Sequence, residues 1–499
     1  MSHNPNPFDF VPFDENGPQL KSLEEWMSYG PLRTGRIAVE MKVLTPVHIV
    51  GEQPMSGNNI QESRFFKRGD KHYISASSIR GALRAFIEAA CNGWVLQLTP
   101  YYQKEKKKQT YGFKVVDSET PKNAKISKFL SSSCSIDQRF CVPPSAEQGI
   151  DLASFLFGYI PGKPVDKNQF NPAWKGRIII DDAEVSSSQL SPLYDANHYK
   201  VPDLNNQDAF MGGPHPSASS WWYQFPKEIR RDQYGVYKFI GLGFRGRKFY
   251  FHQDPVNCIK YYNESSDWNK NSDGKDKLYF FPIECIDQNE SVSFDIFFDS
   301  IPEQLLYILF FALEPGKKIR HKLGYGKAYG YGSIEFSMRE VVYQDKGFVE
   351  PEAADLNAIR MSIGKQLSLF DSKDTGSIAQ FLHRASLDVL SFILWYESSF
   401  KAIFSYPCAG EGGFNVDLDK QKRKEYNGIL KTVIENTLRL NGVKVSNGNP
   451  GDSISLDKGE KISSNPFLFR YKPTLHFEVY QANSTLDKKI KAKRKFSYL

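Results

Sequence analysis

Apolar and polar residues alternate in several segments of the chain, and this period of two is typical of half-buried β-strands. The clearest segment is residues 36–50, where Ile37, Val39 and Met41 occupy alternate positions. A β-hairpin is predicted at residues 65–73 because a Gly-Asp turn interrupts the pattern there. The other predicted strands are residues 176–185, 278–298 and 333–338.

Helical spacing of apolar residues begins after Ser77 and Ser78, and either serine can cap the predicted helix. The apolar residues of this helix are Ile79, Leu83, Phe86, Ile87 and Ala90. A second helix is predicted at residues 302–313, where Pro302 suits the first turn. Beyond residue 340 we predict amphipathic helices at residues 376–405 and 418–441, and a short strand at residues 474–480.

This order of elements predicts an α+β protein with three parts. Residues 1–35 are rich in Pro, Asn and Gly and are predicted to be an irregular lead-in. Residues 36–340 contain the predicted core, and residues 341–499 are predicted to be a mainly helical C-terminal extension with a basic tail. Two stretches of the core without a sustained pattern, at about residues 95–150 and 186–275, are predicted insertions.

The composition limits the class of protein. The 499 residues include 64 Lys and Arg against 57 Asp and Glu, a net charge of +7, and 40% are hydrophobic, which is ordinary for a chain with a buried core. Apolar stretches are too short to cross a bilayer and no signal peptide is visible, so we expect a cytoplasmic protein without a membrane partner. Six cysteines without a C-x-x-C pair indicate reduced thiols rather than a zinc site.

The densest motif is the glycine-rich segment at residues 317–333, which contains five Lys or Arg, four Gly and three Tyr. Glycines allow close approach of a ligand, cations neutralise phosphate, and tyrosines can stack on bases. The segment matches neither common nucleotide-binding glycine loop. A turn with packed tyrosines is the alternative to a nucleic-acid site. The candidate RNA-binding residues here are Arg320, His321, Lys322, Gly324, Tyr325, Gly326, Lys327 and Tyr329.

A second candidate phosphate site is the start of the helix predicted after residue 76. Free N–H groups and serine hydroxyls at a helix N-terminus bind anions, and two arginines four residues apart project from one face. Gly81 costs about 1 kcal/mol in a helix, which suggests that something approaches closely there. The alternative is a capped helix with two solvated arginines. The candidate residues are Ser75, Ser77, Ser78, Arg80 and Arg84.

A third candidate is the interleaved basic and aromatic segment at residues 244–252, which contains Arg245, Arg247 and Lys248. It is either a β-hairpin that stacks on nucleic acid or an exposed strand with structural aromatics. Evidence for an enzyme is thin by comparison, because no hydrolase or metalloprotease motif and no Cys/His cluster at metal spacing is present.

Taken in order, these landmarks resemble the RAMP superfamily of CRISPR proteins, in particular the backbone subunits of type III effector complexes. The size and insertions resemble a III-D-like subunit with a large insertion. The matching motifs are residues 35–39 leading to 44–51, residues 74–84, 157–158, 176–184 and 324–332.

The resemblance implies a modified RNA-recognition-motif core, which is a ferredoxin-like β-α-β-β-α-β sheet with helices behind it. It also implies that the chain binds the backbone of a guide RNA, helps to hold the guide–target RNA duplex, and assembles with other RAMP-type subunits in antiviral defence. An inserted thumb that displaces bases is expected within residues 186–275.

The family also includes subunits that cut target RNA, and their cleavage depends on an aspartate in the loop after the first strand. The matching loop here, residues 51–64, contains no Asp; Asn58 and Asn59 lie near the expected position, and Glu52 and Glu62 are its only acids. We therefore expect an RNA-binding scaffold first. The alternative is a metal-dependent endoribonuclease acting on target RNA or guide precursor, with Glu52 and Glu62 as candidate catalytic residues and Mg²⁺ as its cofactor.

Overall fold

The protein is described from a computed structural model. It describes residues 7–14, 16–57, 59–94, 149–159, 173–194, 198–202, 228–231, 237–240, 246–264, 279–344, 350–369, 377–398 and 453–455. Several predictions lie outside these residues, namely almost all of the insertion at 95–150, the helix at 418–441, the strand at 474–480, the basic tail, Arg245 and Asn58.

The described residues form strands and helices along most of their length. The strands are β1 (Phe8–Val11), β2 (Leu32–Val43), β3 (Met55–Ser56), β4 (Asn59–Ile60), β5 (Lys67–Arg68), β6 (Lys71–Ile74), β7 (Gly158–Tyr159), β8 (Trp174–Lys175), β9 (Ile178–Ile180), β10 (Ala183–Val185), β11 (Lys200–Pro202), β12 (Glu228–Arg231), β13 (Tyr237–Ile240), β14 (Arg247–Tyr250), β15 (Phe280–Pro282), β16 (Ser291–Pro302), β17 (His321–Lys322), β18 (Ser333–Tyr343), β19 (Glu352–Ala353) and β20 (Ser453–Ser455). The α-helices are α1 (Leu23–Met27), α2 (Ala76–Ala90), α3 (Leu152–Phe157), α4 (Pro255–Glu264), α5 (Glu303–Leu313), α6 (Leu356–Leu367) and α7 (Arg384–Ile393).

The central sheet has the strand order β17-β18-β2-β16-β9, and neighbouring strands are antiparallel. Helix α2 lies between β2 and β9 in the chain, and helix α5 lies between β16 and β18. The strands β18, β2, β16 and β9 therefore have the order 4-1-3-2 of a β-α-β-β-α-β unit. This confirms the α+β prediction and a ferredoxin-like sheet; the finer likeness to an RNA-recognition motif stays a prediction.

One face of this sheet is buried beneath the helices. Alternate residues of β2, such as Val39 and Met41, are at most 1% exposed, and they pack with the apolar residues of β16, β18, α2 and α5 in one core. Alternation in the sequence predicted this face because successive strand residues point to opposite sides. The other face of the sheet carries mainly charged and polar side chains.

The predicted strand at residues 176–185 is in fact two strands. Strand β9 pairs with β16 in the central sheet, whereas β10 pairs with β6. The chain changes sheets at Asp181 and Asp182, and Asp182 accepts a hydrogen bond from the backbone N–H of Ala76. The segment predicted at 278–298 also divides, into β15 and the 12-residue strand β16. The hairpin at 65–73 is confirmed as β5 and β6, and the helix at 302–313 as α5.

The prediction of an irregular lead-in is wrong. Strand β1 pairs with β14, and α1 begins at a capping box formed by Ser22 and Glu25. Trp26 is fully buried, and its indole N–H donates to the carbonyl of Ile150 at 2.8 Å. The irregular insertion predicted at 186–275 likewise contains β11 to β14 and α4, including the antiparallel pair β12 and β13.

Residues beyond 340 pack on the same core as the sheet. Helices α6 and α7 contribute Ile363 and Leu390, both fully buried, to the main hydrophobic cluster. The segment after α7 lies beside β17, where the N–H of Arg320 donates to the carbonyl of Leu394 and the N–H of Tyr396 donates to Lys318. Within the described residues, no helix has the length and apolarity needed to cross a membrane.

Candidate nucleic-acid interface

The N-terminus of α2 is already satisfied by groups of the protein. Ser75 is the cap, not Ser77 or Ser78 as predicted, and its hydroxyl accepts from the N–H of Ser78. The first helical N–H, that of Ala76, donates to Asp182 at 2.7 Å, and the same carboxylate pairs with Arg68 at 2.9 Å. A carboxylate thus lies where the sequence predicted a phosphate. Ser77 remains exposed.

The two arginines of α2 do not project freely into solvent. Arg80 donates to the carbonyls of Phe157 and Ile178. Arg84 is 7% exposed and donates to the carbonyl of Gly158 at 2.5 Å and to Glu88 at 2.7 Å. Cations favour a helix C-terminus because its last carbonyls lack partners. Arg80 and Arg84 therefore hold the end of α3 against α2, and the prediction of solvent-facing phosphate ligands does not match this geometry.

Arg247 is also buried. Its guanidinium donates to the carbonyl of Gly93 and lies over the ring of Phe13, 4.7 Å from the centroid. Burial lowers the pKa of Arg247 to about 10, although the nearby carboxylates of Glu88 and Asp151 oppose this shift. Of the two alternatives for the segment at 244–252, its described residues match the strand, because β14 pairs with the N-terminal strand β1.

Much of the glycine-rich segment packs against the rest of the protein. Gly324 and Gly332 have positive φ angles of 79° and 80°, and a Cβ would lie 2.2 Å from the carbonyl oxygen of His48 and 2.0 Å from that of Leu323, respectively. Only glycine allows this close approach. The packed-turn alternative therefore describes part of the segment.

Three of the candidates in this segment have internal partners. The Nζ of Lys322 donates to the carbonyls of Gly330 and Tyr331 at 3.0 and 2.9 Å, and burial lowers its pKa to about 7. His321 donates to the carbonyl of Ala312 at 2.8 Å, and burial lowers its pKa to about 4. Arg320 donates to backbone carbonyls of its own loop and pairs with Glu335. Tyr329 is buried as well.

A second hydrophobic cluster, separate from the main core, carries the remaining candidates. It is rich in aromatic residues, and its partly buried members are Tyr199, Tyr250, Tyr261, Phe280 and Tyr325. The Nζ of Lys248 lies 3.9 Å from the ring centroid of Phe8 and 4.8 Å from that of Tyr250. The Nζ of Lys200 lies 5.5 Å from the ring centroid of Phe280. We call Lys200, Lys248, Tyr250, Tyr325 and Lys327 the basic-aromatic surface.

Lys327 lies at the start of a 3₁₀ turn, between Gly326 and Gly330, which both adopt left-handed backbone angles. Burial lowers the pKa of Lys327, and the positive charge of Lys248 acts in the same direction, against an opposing effect of Tyr250. Among the residues that the structure describes, none pairs with the ammonium group of Lys327. A partly buried cation without a partner among the described residues attracts an anion.

Lys200 and Phe280 were not predicted as site residues. Lys200 lies in a part of the sequence without periodicity, and only its hydrogen-bonded pairing with β15 brings it beside an aromatic residue. A basic residue next to Tyr199 was the sole signal, and the chain contains many similar pairs.

The loop that carries the catalytic candidates forms the hairpin β3 and β4. Glu62 is 5% exposed and accepts from Arg64 at 2.6 Å, whereas Glu52 is exposed. The positive charge of Arg64 lies near both carboxylates and near Glu284. No group of three His, Cys, Asp or Glu side chains that could hold a metal occurs among the described residues.

A groove of about 380 Å³ lies beside the C-terminal end of α5. Four of its charged residues form two ion pairs, Arg360 with Glu314 and Arg320 with Glu335, and Lys317 also lines it.

The sheet, its two crossover helices and the glycine-rich segment define a ferredoxin-like α+β protein with a basic-aromatic surface. The family model of the RAMP superfamily matches residues 40–335, which is more than half of the chain. The protein therefore belongs to the RAMP superfamily, whose members act in CRISPR effector complexes. No curated protein matches the chain significantly.

Proposed function

We propose that this chain is a backbone-type subunit of a type III CRISPR effector complex, which binds the guide RNA through its phosphates and helps to hold the guide–target duplex. Membership of the RAMP superfamily supports the general role. The III-D-like character and the thumb within residues 186–275 belong to the same proposal. The guide and target RNAs and neighbouring RAMP-type subunits are its partners.

The observation that carries the proposal is Lys327 within the basic-aromatic surface. Its ammonium group is half-buried and has no partner among the described residues, and burial lowers its pKa. Keeping a cation partly buried without a partner is unfavourable unless an anion binds to it. A phosphate group supplies that charge, and binding it releases counterions from the RNA.

The chemistry of the basic-aromatic surface favours RNA over a small anion. Tyr250 and Tyr325 are partly buried aromatic residues of the cluster that carries Lys248 and Lys327. Aromatic rings stack on any base, and lysines contact any phosphate, so such a surface binds without sequence preference. Selection of the target is then left to pairing with the guide.

We propose a scaffold rather than a nuclease role. The two acids of the loop at 51–64 lie beside Arg64, and Glu62 is buried in an ion pair with it. A carboxylate held in this way is poorly placed to bind Mg²⁺ or to move a proton. Neighbouring subunits would supply any cleavage.

Co-purification tests the proposal. The full chain, expressed with the products of its neighbouring genes, should bring down a discrete small RNA that is protected from added nuclease. A variant with Lys248→Gln and Lys327→Gln should retain less RNA, whereas Lys365→Gln on α6 should retain the normal amount. A stoichiometric complex free of RNA would contradict the proposal.

A further inference from the structure

The sheet face opposite the helices is a second open surface, distinct from the basic-aromatic surface. Strand alternation places Arg36, Glu40, Asp295, Phe297 and Ile179 on this side. We call it the open sheet face. The four strands β2, β16, β18 and β9 contain 12, 12, 11 and 3 residues, so at about 3.3 Å per residue and about 4.8 Å between strands the area is on the order of 600 Å². This is at the lower end of what each partner contributes to a standard protein–protein interface.

Carboxylates outnumber cations on the open sheet face. The acidic residues are Glu40, Asp181, Asp295, Asp299, Glu335 and Glu340, and the basic residues are Arg36, Lys42, Arg320 and Arg339. RNA phosphates are repelled by such a surplus. This face is therefore a poor RNA surface.

Ion pairs order the charged side chains of the open sheet face before any partner binds. Arg36 bridges Asp295, at 2.9 Å, and Glu340 on the other neighbouring strand, while Arg339 pairs with Glu40. Each pair is partly exposed and contributes little to stability. Their geometric effect is larger, because side chains that are already ordered lose less entropy when a partner binds.

An apolar pair lies at the β9 edge of this face. Ile179 and Phe297 are 59% and 38% exposed and lie directly opposite each other in the register. Backbone hydrogen bonds on both sides fix this register, from Asp181 to Asp295 and from Asp299 to Arg177. Opposed side chains on one face lie roughly 5 Å apart and form a continuous apolar patch.

The apolar pair is flanked by acidic residues. Asp181 follows β9 directly and is exposed, and no described residue pairs with its carboxylate. Asp299 lies two residues beyond Phe297 on β16 and accepts from the hydroxyls of Thr34 and Ser300. A complementary surface has an apolar side chain with a lysine or arginine beside it.

We infer that the open sheet face binds a neighbouring protein subunit, through an apolar side chain that contacts Ile179 and Phe297 and a cation that pairs with Asp181. This inference rests on the proposed function, which gives the chain neighbouring subunits as partners, and it assigns one of them a surface different from the RNA-binding one. The competing possibilities are that the face binds RNA, that it binds a second copy of this chain, and that it binds nothing.

A photocrosslinking experiment tests the inference. p-Benzoylphenylalanine replaces Phe297 in the full chain, which is expressed and purified with the products of its neighbouring genes. Irradiation should link position 297 to a protein subunit, in a peptide with an apolar residue next to Lys or Arg. The same photoreactive residue at Met361, which is 67% exposed on α6, is the control and should not give this peptide.

A second arm measures affinity for the subunit identified in this way. Phe297→Asp and Asp181→Lys should each weaken its binding at least tenfold, whereas Met361→Asp should leave it unchanged, and all three variants should retain RNA. A crosslink to RNA, to a second copy of this chain, or to nothing would overturn the inference. Normal affinity in both open-face variants would overturn it too. Loss of RNA from the wild-type complex would instead contradict the proposed function. The failure of the inference and the failure of the proposed function therefore give different results.

Discussion

Four charged side chains meet where α2 lies against α3 and β14. Arg84 pairs with Glu88 at 2.7 Å, Asp151 accepts from the N–H of Ser154, and Arg247 lies near both carboxylates. A buried pair of this kind adds little net stability, but removal of one member leaves an uncompensated charge in the interior. The cluster therefore fixes how three elements fit together.

Arg84→Met should lower the free energy of unfolding by about 3–5 kcal/mol, because Glu88 would lose its ion pair within the core. Denaturant unfolding of the RNA-free chain measures this change. The double variant Arg84→Met and Glu88→Leu is the control, and it should recover most of the loss because no unpaired charge remains. If Arg84→Met were as stable as the wild type, the buried ion pair would be refuted.

His321 predicts a dependence of stability on pH. Burial lowers its pKa from 6.5 to about 4, so between these pH values the unfolded chain binds a proton that the folded chain does not. The contribution of His321 to stability is therefore lost as the pH falls through this window, at up to about 1.4 kcal/mol per pH unit.

The variant His321→Phe removes this titration and suits a site lined by Phe86 and Phe336. Urea unfolding at several pH values between 7 and 4.5 should show that the wild type loses its advantage over the variant as the pH falls. Parallel stability profiles for the two proteins would show that His321 is not buried as a neutral ring.

The residue types at the predicted sites could be identified from the sequence, but their partners could not. Arg80 and Arg84 have the spacing of a phosphate clamp, yet they bind the carbonyls of Phe157 and Gly158. These carbonyls lie more than 70 residues away in the chain, and a helix C-terminus attracts cations as a phosphate does. Local spacing cannot distinguish these backbone carbonyls from a phosphate as the partner of an arginine.

At the scale of elements, the exposed side of α2 contains Gly81, and a Cβ there would contact nothing in the described structure. Gly81→Ala should raise the free energy of unfolding by about 0.5–1 kcal/mol, because alanine is the better helix former. If RNA approaches this side of the helix, as the costly glycine suggests, the same variant should bind RNA more weakly. Unfolding and RNA titration of one preparation measure both effects. Unchanged RNA affinity would contradict an approach of RNA to Gly81.

Elements with a strong local pattern could be predicted well, whereas elements that depend on distant partners could not. The alternation of Ile37, Val39 and Met41 predicted the strand β2, although it ends at Val43 and not at residue 50. Strand β1 was missed because its partner β14 lies about 240 residues later. The single strand expected at 176–185 divides because Asp182 turns away to cap α2.

At the scale of the whole molecule, the protein presents two open surfaces of opposite character. The basic-aromatic surface carries Lys248 and Lys327, whereas the open sheet face has a surplus of carboxylates. The proposed RNA and the proposed protein subunit would therefore bind at the same time without competing for the same charges. We therefore predict that substitutions in the basic-aromatic surface leave binding of the protein subunit unchanged. Substitutions in the open sheet face should likewise leave RNA binding unchanged.

The salt dependence of RNA binding tests the central claim most directly, because each phosphate contact adds about 0.7 to the slope of log K against log salt for a single strand. Lys327→Gln should reduce this slope by about 0.7 and weaken binding about fivefold at 0.1 M salt, equally for unrelated RNA sequences. Lys365→Gln, an exposed lysine on α6, should leave both unchanged. An unaltered slope for Lys327→Gln, or a loss confined to one RNA sequence, would contradict phosphate binding at this surface.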